Sequence, residues 1–152
     1  MTQNEIVLVV SVSIIKGNDV LIIKENKPSA INKWNFPSGR IEPKEDILYA
    51  ACREVKEETG FDVKLTATTG VYNFISSTNN QVILFHFTGE IIGGSLKIEE
   101  DEIIDSRWIK VSELMNLDNK DLREAGVIRQ IVDRLLNRKF HSITVFNEQL
   151  CN

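Results

Sequence analysis

The chain has 152 residues, of which 18 are basic and 22 acidic, with 42% hydrophobic and 26% charged residues. That is the size and balance of one soluble globular domain with its own core, and 1–152 is read as a single domain. The net charge of −4 weighs against a protein that coats a nucleic-acid duplex through a basic face. It leaves anionic small molecules open as ligands, because a bound cation can supply positive charge locally.

Cys52 and Cys151 form neither a CxxC motif nor a disulfide framework, which points to a reduced, cytoplasmic setting. Residues 1–5 are polar and lack a basic segment followed by an apolar one. The run 6–15 is interrupted by Ser11 and Ser13 and is too short for a membrane span, so no membrane association is expected.

In chain order, 7–15 and 20–23 read as strands joined by a Gly17-Asn18-Asp19 hairpin turn. The polar stretch 24–33 reads as loop, and Pro37-Ser38-Gly39 as turn. Residues 46–59 read as a helix whose apolar stripe is Ile47, Leu48, Ala51 and Val55, with Gly60 as its C-cap. Strands are predicted at 61–65, 71–76, 81–88 and 104–109, and a short helix at 111–115. The strand 81–88 is apolar on both faces and so expected to be buried on both. An amphipathic helix is predicted at 122–136. The irregular alternation suits an α/β fold with a mixed sheet.

The candidate chemistry lies between Gly39 and Phe61. On a helix, Glu54, Glu57 and Glu58 are spaced i, i+3, i+4 and share one face. Three adjacent carboxylates repel unless a cation sits among them. Glu58 falls at the edge of the apolar stripe, where an unpaired carboxylate is costly. Ala50, one turn before Glu54, leaves room for an ion. Arg53 stands four residues before Glu57 and is placed to hold a carboxylate. An oxygen-only donor set without nearby His or Cys suits Mg²⁺ or Mn²⁺ rather than zinc. Alone, such a cluster is more often a solvated helix face.

The wider spacing removes that bland reading. The segment resembles the Nudix box, G-x5-E-x7-R-E-U-x-E-E-x-G-U, in which U is a bulky apolar residue. Gly39, Glu45, Arg53, Glu54, Val55, Glu57, Glu58, Gly60 and Phe61 fill every specified position. Seven of these positions accept one residue type only, so a chance match is on the order of 10⁻⁸ per window. The approach Trp34-Asn35-Phe36-Pro37-Ser38-Gly39 is similar to the family's, with Ser38 where Gly is usual. Residues 102–109 resemble the family's later acidic residue and Trp-bearing strand.

The resemblance implies the Nudix α/β/α sandwich, a mixed sheet between helices. It implies metal ligation by Glu54, Glu57 and Glu58, with Arg53 and Glu45 orienting them and Gly39 and Gly60 permitting the turns at either end. It implies Mg²⁺-assisted water attack on a diphosphate linkage in a small nucleotide-like substrate. The base varies across the family, and Glu54, Glu57 and Glu102 are all candidates here. Glu102 is also a candidate ligand, because residues at loop–strand junctions can point into a cleft. The stretch 105–136 is similar to small bacterial Nudix phosphatases that act on nucleoside tri- and diphosphates and on hydroxymethylpyrimidine pyrophosphate. An ADP-ribose or nucleoside-diphosphate-sugar hydrolase is the alternative among enzymes, and a non-hydrolytic nucleotide-binding regulator the alternative outside them.

Trp34, Phe36, Tyr72, Phe74 and Trp108 are candidate stacking partners for a base. Trp34 and Phe36 are favoured because they lead into the box, although aromatic residues in strands are more often core. Lys24 and Arg40 are candidate phosphate contacts or plain surface charges. His86 reads as a satisfied packing residue and His141 as surface. The segment 140–146 is left open between an added strand and a homodimer contact.

Overall fold

The computed structural model describes residues 5–151, so that the polar start at 1–4 lies outside the described residues. The strands are β1 (Ile6–Lys16), β2 (Asp19–Lys27), β3 (Ala30–Asn35), β4 (Ser38–Arg40), β5 (Phe61–Ile75), β6 (Gln81–Gly94) and β7 (Ile103–Lys110). The helices are α1 (Ile47–Thr59), α2 (Val111–Leu114) and α3 (Ala125–Leu136), with single 3₁₀ turns at Asn119–Asp121 and Ile143–Val145. The sheet runs β3-β2-β1-β6-β5, with β4 added against β1 and β7 against β2.

The pair at the centre, β1 and β6, is parallel, in register from Ile6↔Gln81 to Ile14↔Gly89. The other strand pairs are antiparallel. A parallel pair needs cover on both faces, and the alternation along β1 provides for it. Val10, Val12 and Ile14 point to one core, which they share with Ala51 and Val55 of α1 and with Phe87. Val7 points to the other, with Val82, Leu84 and the Ile128, Ile131, Val132 and Leu135 face of α3. The result is an α/β sandwich with α1 on one side of the mixed sheet and α3 on the other.

Three sequence expectations are corrected. The polar stretch 24–33 is not a loop, because β2 continues to Lys27 and β3 begins at Ala30. The polar residues of β2 are accommodated at a register shift between Lys24 and Glu25 where it meets β7, and by ion pairs of Glu25 and Lys27. Residues 61–65 and 71–76 belong to one strand, β5, whose register shifts at 65–67 and 68–70 break the alternation. The last helix starts at Ala125 rather than 122: Leu122 bridges to Trp34, the Arg123 N–H donates to the Trp34 carbonyl at 2.9 Å, and Glu124 is left-handed at φ 51°. The segment 140–146, left open by the sequence, forms no strand. His141 makes one bridge to Thr68, and Phe146 packs with its ring 5.0 Å from that of Phe87.

Helix α1 starts and stops where its caps dictate. The Asp46 carboxylate accepts from the Tyr49 N–H at 3.0 Å. Gly60 ends the helix at φ 82°, and a Cβ there would lie 2.4 Å from the Ser95 carbonyl oxygen. No helix among the described residues is long and apolar enough to cross a membrane.

His86 is fully buried, its ring nitrogens 2.5 Å from Ser11 Oγ and 2.7 Å from Ser13 Oγ. A neutral imidazole has one donor and one acceptor nitrogen, so the two hydroxyls satisfy it completely. Burial pushes its pKa down to about 3 from 6.5. The folded state thus prefers the neutral ring, and the stability His86 contributes is present above pH 6.5 and lost as pH falls from there toward 3. His86→Gln should be less stable than wild type at pH 7 by about 2 kcal/mol, through lost packing and hydrogen bonds. In urea unfolding at pH 7, 5.5 and 4.5 that deficit should shrink by about 1.4 kcal/mol per pH unit below the unfolded-state pKa. A deficit independent of pH would mean that the buried ring titrates normally.

Candidate active site

The carboxylates on α1 are organised by one guanidinium. Arg53 donates through Nε and Nη2 to both oxygens of Glu45, at 2.5 and 2.8 Å. Its Nη1 reaches Glu54 at 2.9 Å and Glu57 at 3.2 Å, and Nη2 also reaches the Arg40 carbonyl at 3.1 Å. The planar fork therefore ties the 40–45 loop to the helix and offsets three negative charges at once. Its hydrogen bond holds the Glu45 carboxyl below the usual carboxylate range. The Glu54 carboxyl is shifted the other way, because burial outweighs the pull of Arg53.

Gly39 is a requirement of this packing. A Cβ at that position would stand 2.0 Å from Glu54 Cδ, so the bare backbone of β4 forms the cradle in which the Glu54 carboxylate lies. Ala50, expected to leave space for an ion, is instead buried in the α1 core.

Glu58 is 2% exposed. Its Oε1 accepts the Ser38 N–H at 2.7 Å, while Oε2 has no hydrogen-bond partner among the described residues. Lys27 Nζ stands 3.5 Å from that oxygen, 3.2 Å from Glu25 Oε2 and 3.9 Å from Glu102 Oε2. Burial pushes the Glu58 pKa up to about 8 against the attraction of Lys27. The Lys27 ammonium is also penalised by burial, but Glu58 and Glu25 outweigh this and hold its pKa above the ordinary value.

Lys27 and Glu102 border a cleft of about 450 Å³, while Glu58 and Glu25 lie buried behind its lining. One wall carries Glu54, Glu57 and Arg53 of α1 with Gly39 and Arg40 of β4. Lys27 and Glu102 stand at another, and the cleft continues over Val7, Val9, Phe74, Val82, Leu84 and Val127 to Arg123 and Glu124. Glu102 sits just before β7, and its side chain is 55% exposed. Glu99 borders a different groove, beside Gly60 and Lys97. Among the described residues no group of three or more His, Cys, Asp or Glu side chains stands, as placed, where it could hold a metal ion.

The structure separates the other candidates. Trp34 and Phe36 are not cleft residues: they lie in the core under α3, 9% and 1% exposed, because β3 turns both rings against Leu122 and Ile128. Lys24 does not line the cleft. Its ammonium lies over the Trp34 ring, 5.4 Å from the centroid. Of the five aromatic candidates, Phe74 lines the cleft, while Tyr72 is buried and Trp108 packs near Phe61. Sequence reasoning missed Glu25, Lys27 and Arg123. Glu25 is fully buried, yet its partner Arg123 lies 98 positions away, and no local spacing marks either residue.

A family model described as the NUDIX domain matches residues 6–131. A Bacillus subtilis protein described as a putative 8-oxo-dGTP diphosphatase is 31% identical over 113 residues, 74% of this chain and 69% of that one. A Methanocaldococcus jannaschii ADP-ribose pyrophosphatase is 33% identical over 68% of this chain and 58% of its own length. A putative nudix hydrolase of Caenorhabditis elegans is 33% identical over 83% of this chain, which spans only 34% of that longer relative. Among solved structures, a NUDIX hydrolase from Nitrosomonas europaea superposes with a TM-score of 0.83 at 23% identity, covering 95% of this chain and 98% of that one, which establishes the shared fold. With the family model matched across most of its length and every position of the box filled, the chain belongs to the Nudix family.

Proposed function

We propose that this single domain is a Mg²⁺-dependent pyrophosphohydrolase that cleaves a diphosphate linkage in a small nucleotide-like substrate. The observation that carries the reading is the helix α1 carboxylate set: Glu54 and Glu57 line one cleft wall, and behind them the buried Glu58 Oε2 has no hydrogen-bond partner among the described residues and only the Lys27 ammonium 3.5 Å away. A buried carboxyl oxygen left without a hydrogen bond is costly, and oxygen donors alone fit a hard divalent cation. Glu54, Glu57 and Glu58 would hold the ion, with Glu102 able to join from the facing loop. When bound, it would offset charge on phosphate oxygens and lower the pKa of an attacking water.

The chain's own residues do the rest. Arg53, braced by Glu45, keeps the Glu54 and Glu57 carboxylates aimed at the cleft. The Ser38 N–H fixes the Glu58 carboxylate. Glu57 and Glu102, each more than half exposed, are open to accept the proton of the attacking water. As the new O–P bond forms, the bond from phosphorus to the bridging oxygen breaks, and the two halves leave as phosphates. The apolar patch around Phe74 offers a face for a base. That suits a nucleoside tri- or diphosphate, the kind of substrate named for the Bacillus relative, and equally ADP-ribose, named for the Methanocaldococcus relative.

A screen of phosphorylated metabolites with Mg²⁺, with products identified, tests the reading. Activity should vanish with chelator and return with Mg²⁺ or Mn²⁺, and full turnover in verified metal-free enzyme would sink it. Glu57→Gln and Glu58→Gln should each lose about a hundredfold in kcat, roughly 3 kcal/mol, with the fold retained by circular dichroism. Glu102→Gln should cut kcat strongly and leave the melting temperature unchanged, while Glu99→Gln is silent; equal silence in both would place the base on α1. Phe74→Ala should change relative kcat/KM among substrates while metal dependence stays constant. Trp34→Ala should instead cost about 3–5 kcal/mol of stability in denaturant unfolding, as a core truncation.

A further inference from the structure

Resting on the hydrolase reading, we propose that Arg123 grips a phosphate group of the substrate, and that buried Glu25 is the positioning residue that aims it into the cleft. Glu25 has no exposed surface. Its Oε1 accepts the Asn35 Nδ2–H at 2.8 Å, and its Oε2 is shared between Arg123 Nη1 at 2.7 Å and Lys27 Nζ at 3.2 Å. A carboxylate taken fully out of water is no aid to stability in itself, since apolar packing would serve as well or better. What it accomplishes here is to hold two cations at the cleft edge.

The frame around it is fixed. The Arg123 backbone is pinned by its N–H bond to the Trp34 carbonyl. Asn35 Nδ2 also donates to Ser38 Oγ at 3.1 Å, and the Ser38 N–H holds Glu58. The anchor of Arg123 is thereby tied to the anchor of a candidate metal ligand, so the two ends of a diphosphate would be held in one register.

The charges fit the role. Lys27 is surrounded by Glu25, Glu58 and Glu102 and has little charge left for a ligand. Arg123 shares its single carboxylate with Lys27, and of its five N–H donors one is used by another side chain among the described residues. The guanidinium side chain is 30% exposed and lines the same cleft as Glu54 and Glu57. Of the other cleft cations, Arg53 is taken up by Glu45, Glu54 and Glu57, and Arg40 is 68% exposed and, among the described residues, pairs with Glu5 at 4.0 Å. A planar fork with free donors, held by a buried anion beside an acidic wall, is suited to phosphate oxygens that a cation on that wall would leave uncovered.

Binding of inorganic pyrophosphate in Mg²⁺, by calorimetry, and steady-state kinetics on the best substrate of the screen test this together. Arg123→Met should weaken pyrophosphate by about tenfold or more and raise KM by a similar factor, with kcat within about threefold of wild type. Arg123→Lys should recover part of the loss, and Glu25→Gln should reproduce the Arg123→Met effect with a folded far-ultraviolet spectrum. If Glu25→Gln does not fold, the two Arg123 variants decide. Pyrophosphate affinity and KM within about twofold of wild type in Arg123→Met would overturn the inference. So would a loss confined to preference among bases, or a wild-type enzyme that does not bind pyrophosphate. A wild-type protein that binds pyrophosphate through Arg123 but hydrolyses nothing would defeat the hydrolase reading and leave this binding role standing.

Discussion

The site depends on one guanidinium. Three carboxylates within two turns of a helix repel one another, and in low dielectric that repulsion would strain α1 or swing the side chains into solvent. Arg53 counters this for Glu54 and Glu57 by donating to them together with Glu45 and the Arg40 carbonyl, while Glu58 is met by the Ser38 N–H and Lys27. Because Glu45 lies on the loop before the helix and Arg40 on β4, the same contacts lock the loop to the sheet. Lysine has the charge but lacks the fork, so it could not span four acceptors in two directions.

A second arrangement stands next to the first. Glu25 and Glu58 are buried carboxyl groups of β2 and α1, and Lys27 lies between them. They differ in how they are satisfied. Glu25 is met on both oxygens by Asn35, Arg123 and Lys27, whereas one oxygen of Glu58 is left without a hydrogen bond. The difference separates a carboxylate fully used in holding other side chains from one that, under the hydrolase reading, would take a metal ion. Residues from β2, the turn before β7 and the approach to α3 are brought against α1 by the sheet order, which puts β2 next to β1 and β7 next to β2.

The sheet tolerates polar residues at its centre for a related reason. His86 sits opposite Ser11 in the parallel pair and within reach of Ser13. A neutral imidazole with both nitrogens met costs little to bury. The same two serines that break the apolar run 6–15 in the sequence therefore mark the partner of a histidine 75 positions away.

The sequence by itself determined what local spacing controls. The helix with its Gly60 cap, the shared face of Glu54 and Glu57, the reach of Arg53 to Glu57 and the α/β alternation were legible from local periodicity and turn chemistry. Resemblance to the box added the reaction class and strengthened the expectation of a divalent cation, neither of which periodicity contains. Tertiary structure decided what depends on pairing between distant segments. It sent Trp34 and Phe36 into the core and left Phe74 at the cleft. It also extended β2 through a polar stretch and buried Glu25 against Arg123. The physical reason is that burial of an aromatic ring or a carboxylate is set by which strand or helix packs over it, and that partner is chosen by sheet order and register rather than by neighbours in the chain.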